Sequence, residues 1–232
     1  MTMFYPYNIS LEESMRSEEF SINRKKHCLF IGMVILGFLW MMGFVSAFPA
    51  WTEEKSGQAS PTQATPEQKD LDFADGLYQR GMYDGAAKQY AEFLAKHPQS
   101  SLKELALFRQ GESFYQFATK KLTNDPVQTK VALLKARGAF QEWLKNYPEG
   151  KRLHESLLRY GELSYKLDDA KAGLDALQKV IKESKDASLL EAALFYAGRC
   201  HEALGQDDEA LSRYRQIVST YPQGEFTAFT AF

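Results

Sequence analysis

Residues 198–222 read GRCHEALGQDDEALSRYRQIVSTYP, and this stretch decides the fold. A small residue, Gly198, is followed 12 positions later by a second, Ala210. A large side chain, Tyr214, comes four after that, and Ile217 three further on. Apolar residues at i, i+3, i+4 and i+7 within Leu189–Leu204 and Glu209–Val218 fit the helical period, and nothing alternates as a strand would. Gly205-Gln206-Asp207-Asp208 supplies a tight turn between the two helices. Tyr221-Pro222-Gln223-Gly224 ends the second helix, because proline cannot continue the i→i−4 ladder. The stretch predicts a helix pair whose backbones approach at the small residues, where a Leu would clash.

Working outward, the same order recurs upstream. Ala74, Gly111 and Gly161 precede Gly198 at separations of 37, 50 and 37 residues. Ala86 and Gly173 stand 12 positions after the first and third; in the second unit the matching Ala136 comes 25 after Gly111, so that unit carries 13 extra residues. Tyr90, Phe140 and Leu177 match Tyr214, and Phe93, Trp143 and Val180 match Ile217. His97-Pro98-Gln99-Ser100 and Tyr147-Pro148-Glu149-Gly150 close the first two units, while the third ends on Ser184-Lys185-Asp186-Ala187. Further turns fall at Gly81–Gly85 and Asp168-Asp169. The reading is an all-α chain, an α–α superhelix of four helix pairs over about 69–100, 101–150, 151–187 and 188–223, with a partial fifth unit at 224–232. Phe226, Phe229 and Phe232 give that fifth unit an apolar face with no second helix to cover it. It is expected to be a frayed stub or a tail that docks on another chain.

The extra residues of the second unit fall around Ala118–Val131. Asp125-Pro126 fits an N-cap and a first helical position, so the second helix there is expected to begin at Pro126 and run to Asn146. Lys120, Lys121, Lys130, Lys135 and Arg137 give this taller unit a basic cast, readable as solvated helix ends or as a docking knob for a partner or lipid headgroups.

The stretches Leu77–Pro98 and Gly198–Pro222 resemble tetratricopeptide repeats, whose pattern runs small residue, aromatic, Ala, aromatic, Pro. The resemblance covers residues 69–232. The 37-residue pitch and the Tyr-Pro-x-Gly/Ser closings are similar to repeats of periplasmic outer-membrane-assembly lipoproteins and of the Tol–Pal-associated cell-division coordinator. It implies a non-catalytic scaffold in the cell envelope that binds a protein or peptide segment in its concave groove. The alternative is the N-terminal structural part of a longer repeat array whose binding face lies elsewhere.

Upstream of the repeats, Arg24, Lys25, Lys26 and His27 lead into Cys28–Phe48, 21 residues without a charge, and Glu53 and Glu54 follow. Basic residues before and acids after orient such a segment with its N-terminus inside the cytoplasm. The run is long enough to span a bilayer. Val45-Ser46-Ala47 is also a small-residue pattern that a signal peptidase reads. Residues 1–50 are therefore expected to be a signal peptide or a membrane anchor, with the rest periplasmic. Residues 51–68, rich in Ser, Thr, Gln, Glu and Pro, read as a flexible linker.

With 28 basic against 30 acidic residues the net charge is −2, which offers no electrostatic reason to expect nucleic acid. The two cysteines, Cys28 and Cys200, form no redox or zinc motif. His154-Glu155 lacks the second histidine of a zinc protease, and no phosphate loop or nucleophile elbow is present. No cofactor, no metal and no catalytic residue are expected. Of the adjacent Cys200 and His201, one is expected to pack and the other to face solvent. Asp168-Asp169 and Asp207-Asp208-Glu209 read as turn and helix-start residues favoured by the helix dipole.

The concave face of a helical solenoid is lined by the first helix of each pair. There Asp75, Glu112, Glu162 and Arg199 share one phase, and Tyr78, Tyr115, Tyr165 and Glu202 follow three residues later. The candidate groove comprises Asp75, Tyr78, Glu112, Tyr115, Glu162, Tyr165 and Arg199. The tyrosines suit either a peptide site or packing against the neighbouring repeat. The acids are expected to be exposed and to choose basic partners, so that charge reversal at Glu112 and Glu162 weakens partner capture and leaves the fold intact.

Overall fold

The computed structural model describes residues 65–230. Over these residues the chain is built of helices alone: α1 (Pro66–Gln79), α2 (Tyr83–Lys96), α3 (Lys103–Lys120), α4 (Pro126–Asn146), α5 (Leu153–Lys166), α6 (Ala170–Glu183), α7 (Ala187–Ala203), α8 (Asp207–Thr220) and the single turn α9 (Thr227–Thr230). Each helix packs on the next in sequence, and α5 also touches α7, the first helix of the following pair. That pattern makes a superhelix of four pairs. The expected linker at 51–68 runs one turn too far: Pro66, a good first helical residue, opens α1, and the Thr65 hydroxyl accepts from the Gln68 amide at 3.2 Å. The run Cys28–Phe48 lies outside the described residues, among which no helix is long and apolar enough to cross a membrane.

Small residues set how closely the pairs close. A Cβ added at Gly111 would fall 2.9 Å from Phe140, and one at Gly161 would fall 2.6 Å from Leu177. At Gly198 it would overlap the Tyr214 ring. In each case the glycine of the first helix faces the large residue of the second, including across the lengthened second unit. Ala74, fully buried, fills the same position in the first unit, in one core with Ala86 and Tyr90 of the second helix. Trp143, Phe140 and Leu107 form the core of the second unit, and the indole Nε1 of Trp143 donates to the Glu104 carbonyl at 3.1 Å. The turns take left-handed backbone at Gly81 (φ 72°), Asp168 (φ 64°) and Gly205 (φ 70°). Aspartate tolerates that region better than most residues with a side chain, which is how the third unit turns without glycine.

A carboxylate seven residues before the small residue of the first helix holds the segment that follows the second helix. The Ser100 hydroxyl donates to Glu67 at 2.7 Å, and the Phe226 amide donates to Glu191 at 2.8 Å. Glu104 lies against Gly150, where a Cβ would come within 2.7 Å of Oε1. The third unit breaks the pattern on both sides at once. His154 replaces the glutamate, Ser184-Lys185-Asp186 replaces the proline loop, and Asp186 instead caps α7 by accepting from the Ser188 and Leu189 amides.

α4 starts as expected, with Asp125 accepting from the Gln128 amide at 2.9 Å and Pro126 at the first position. Asp125→Ala should cost about 1 kcal/mol, the usual worth of an N-cap, measured as a shift in the urea midpoint at constant m. The last residues depart from the expectation of a stub. Phe226 is buried and stacks on Phe195 with ring centroids 4.7 Å apart, so the segment docks on its own chain. Phe232 lies outside the described residues.

Candidate functional site

The inner faces of α1, α3, α5 and α7 carry a ladder of polar contacts running from one unit to the next. In α1, the Asp75 carboxylate accepts from the Tyr90 hydroxyl and pairs with Arg109 of α3. In α3, Glu112 accepts from Nε of Arg159 in α5 at 2.7 Å. Glu162 of α5 accepts from the Tyr115 hydroxyl of α3 at 2.6 Å and from the Tyr196 hydroxyl of α7 at 2.9 Å. Arg199 of α7 donates through Nε to the Tyr165 hydroxyl at 3.0 Å and reaches Glu202 through Nη1. The rule is repeated: an acid one residue after the small residue of one unit meets the side chain two residues before the small residue of the next.

Glu162 is the centre of the ladder. It is only 1% exposed, with Arg159 Nη1 at 3.0 Å and Lys166 Nζ at 3.7 Å. Burial works to raise its carboxyl, but Arg159, Lys166 and the two tyrosine hydroxyls outweigh it and hold the group below the usual carboxylate range. Burial and the Glu162 charge push the Tyr115 and Tyr196 hydroxyls well above their ordinary values, so both remain donors. The Arg159 guanidinium lies 4.6 Å from the centre of the Tyr115 ring. Burial opposes its charge, and Glu112 and Glu162 restore it and raise it well above the usual arginine value.

The candidate residues therefore divide. Glu162 does not edge an open groove, and Tyr115 spends its hydroxyl inside the seam between repeats. Asp75 and Glu112 are mostly covered and paired with arginines. Tyr78 is half-buried, packed edge-on against Tyr83 at 5.3 Å. Arg199 forms the accessible part, its side chain being 45% exposed, while Tyr165 is half-buried against the core beneath it. Arg109, Arg159 and Tyr196, which complete the ladder, were not among the expected site residues. Their signal is the shared phase two residues before Gly111, Gly161 and Gly198.

Cys200 and His201 are both buried, contrary to the expected split, with His201 Nδ1 2.7 Å from the Gln206 amide oxygen. Burial pushes the Cys200 thiol up to about 11, which leaves it protonated and unreactive at neutral pH. Among the described residues no group of His, Cys, Asp or Glu has the arrangement of a metal site.

A superhelix of helix pairs joined by a polar seam along its inner face is an α-solenoid. Residues 73–100, 155–187 and 192–224 match the tetratricopeptide repeat. The chain carries tetratricopeptide repeats, whose domains generally mediate protein–protein interactions and are typically non-catalytic. Residues 101–150, the lengthened unit, fall between the matched segments yet fold as the same helix pair. The fold is similar to the crystal structure of MamA, at 19% identity over 65% of this chain and 75% of that one, with a TM-score of 0.52. TTC0263, a thermophilic TPR protein in Thermus thermophilus, is more remote at 16% identity over 68% of this chain and 92% of that one, with a TM-score of 0.41. No curated protein matches the chain in sequence.

Proposed function

We propose that this chain is a non-catalytic scaffold of the bacterial cell envelope, held on the periplasmic side by its N-terminal segment, that docks a segment of another envelope protein on its inner face. A role in outer-membrane assembly or in coordinating cell division fits the likeness of its repeats to those of envelope proteins. The observation that carries the binding reading is the inner-face ladder. It fixes the spacing of four helix pairs and leaves Arg199 and Glu202 at its accessible end, with the half-buried Tyr165 beneath them. A preorganised concave surface binds without the ordering cost that a flexible one would incur. The partner segment meets that end through Arg199, whose Nη2 donors are not used by Tyr165 or Glu202 and suit an oxygen acceptor on the segment.

A photo-crosslinker placed at Arg199 should capture a discrete envelope protein, whereas the same group at Lys182, on the outer face of α6, should not. Equal capture at both positions would remove the inner face as the site. Alkaline phosphatase fused after Gln68 should be active if the N-terminal segment exports the chain. An inactive fusion beside an active cytoplasmic reporter would refute export and leave the groove reading standing.

A further inference from the structure

The outer face of α4 differs from those of α2 and α6. Val127, Val131 and Leu134 are 73%, 43% and 44% exposed, and their spacing at i, i+4 and i+7 puts them on one stripe. The stripe lies opposite the buried Ala132, Ala136, Phe140 and Trp143, so it points away from the core. Exposed Lys130 and Lys135 stand on either side of it, and Lys121 sits at the same end, 6.0 Å from the centre of the Tyr83 ring. Along the same stripe the shorter α2 carries Asp84, Lys88 and Glu92, and α6 carries Lys171, Asp175 and Lys179. Solvated helix ends explain lysines, but they do not explain three aliphatic side chains held in water between them.

The geometry points to the first turns of α4 as a surface that lies on anionic phospholipid, with the aliphatic stripe facing the acyl boundary and the lysines reaching the headgroups. An apolar stripe with lysine on both flanks is the pattern of helices that rest in a membrane interface. Charge supports the choice of occupant. From Ser113 to Gln141 the chain holds Lys120, Lys121, Lys130, Lys135 and Arg137 against the single acid Asp125. Chain length supports it too, and here the inference rests on the anchor reading of residues 28–48. The stretch between Phe48 and Pro66 is 17 residues, with a reach of up to about 60 Å. The surface lies at the far end of α1 from that attachment, beside the α1–α2 turn where Gly81 faces Lys121. The 14-residue α1 is about 21 Å long, well within that reach.

The test uses the full chain, with Cys28→Ser and the buried Cys200 left in place, reconstituted into nanodiscs. The discs hold phosphatidylcholine alone or with phosphatidylglycerol added. An environment-sensitive fluorophore on Val127→Cys should shift to the blue and be quenched by nitroxide-labelled lipid only when phosphatidylglycerol is present. The same label on Lys182→Cys should stay aqueous. Each of Lys121→Ser, Lys130→Ser and Lys135→Ser should weaken the effect about fivefold, and added salt should weaken it further. A Val127 label that stays aqueous on a chain that co-elutes with anionic discs overturns the proposal. So does a label that shifts only on adding an acidic amphipathic peptide, which would make the surface a protein site. A chain that does not co-elute with discs refutes the anchor. Flotation of that same chain with phosphatidylglycerol vesicles then decides the α4 surface alone, and failure to float overturns it.

Discussion

Glu162→Lys should lower the thermal midpoint by on the order of 6–20 °C, the shift that follows from losing about 3–5 kcal/mol in a domain of this size. The carboxylate is 1% exposed and compensates Arg159 and Lys166, while two tyrosine hydroxyls donate to it. Lysine would put a third cation between those two and orphan both hydroxyls. Breaking a buried pair costs far more than an exposed pair contributes, because the remaining charge stays desolvated. This reverses the sequence-based expectation that Glu162 is an exposed acid whose charge can be changed freely. Glu202→Lys, at a carboxylate 39% exposed and paired with Arg199, should change stability by about 0–1 kcal/mol. Calorimetry of the two variants side by side makes the comparison, and equal small shifts would remove Glu162 from the role given to it. The pH dependence has a definite sign. A carboxyl held below its unfolded value of about 4.3 contributes stability above that pH and loses it as pH falls through the folded value. Glu162→Gln should therefore flatten the acid limb of the stability curve.

Gly198→Leu should be the second large loss, roughly 3 kcal/mol, at the upper end of what overpacking a closed helix seam costs. Even a Cβ at this position would overlap the Tyr214 ring, and Tyr214 is buried between α7 and α8 with Phe195 beside it. The two helices can accept the leucine only by separating, which uncovers Leu194 and Ile217 as well. Lys182→Leu, on the exposed face of α6, should shift the midpoint little. Gly138→Leu is a sharper control, since a Cβ there meets nothing within 4 Å on α4. If Gly198→Leu and Gly138→Leu unfold at the same urea concentration, the seam is not closed at Gly198.

The repeat unit was legible because each of its marks has a local or pairwise cause. Gly111, Gly161 and Gly198 are the points where only a hydrogen fits beneath Phe140, Leu177 and Tyr214. Proline marks helix ends through its missing N–H, and Asp125-Pro126 marks a helix start through one side-chain acceptor. Such signals need no knowledge of the rest of the molecule. The inner-face phase of Asp75, Glu112, Glu162 and Arg199 was legible for the same reason, since it follows from helical periodicity alone.

What those residues do was not legible. The partners of Glu162 are Tyr115, 47 positions before it, and Tyr196, 34 after it. Neither separation is visible as a pattern until the superhelix brings α3, α5 and α7 together. Exposure is likewise a property of the stack. Glu162 and Arg199 hold the same place in consecutive repeats, yet the first is sealed by units on both sides while the second lies in the last described pair. By itself the sequence determined a chain of helix pairs, their boundaries and their inward faces, because turn chemistry, capping and side-chain volume act over a few residues or one contact. Only the tertiary structure decided which inward-facing charges are sealed in the seam and which reach solvent, because desolvation depends on every neighbour that excludes water.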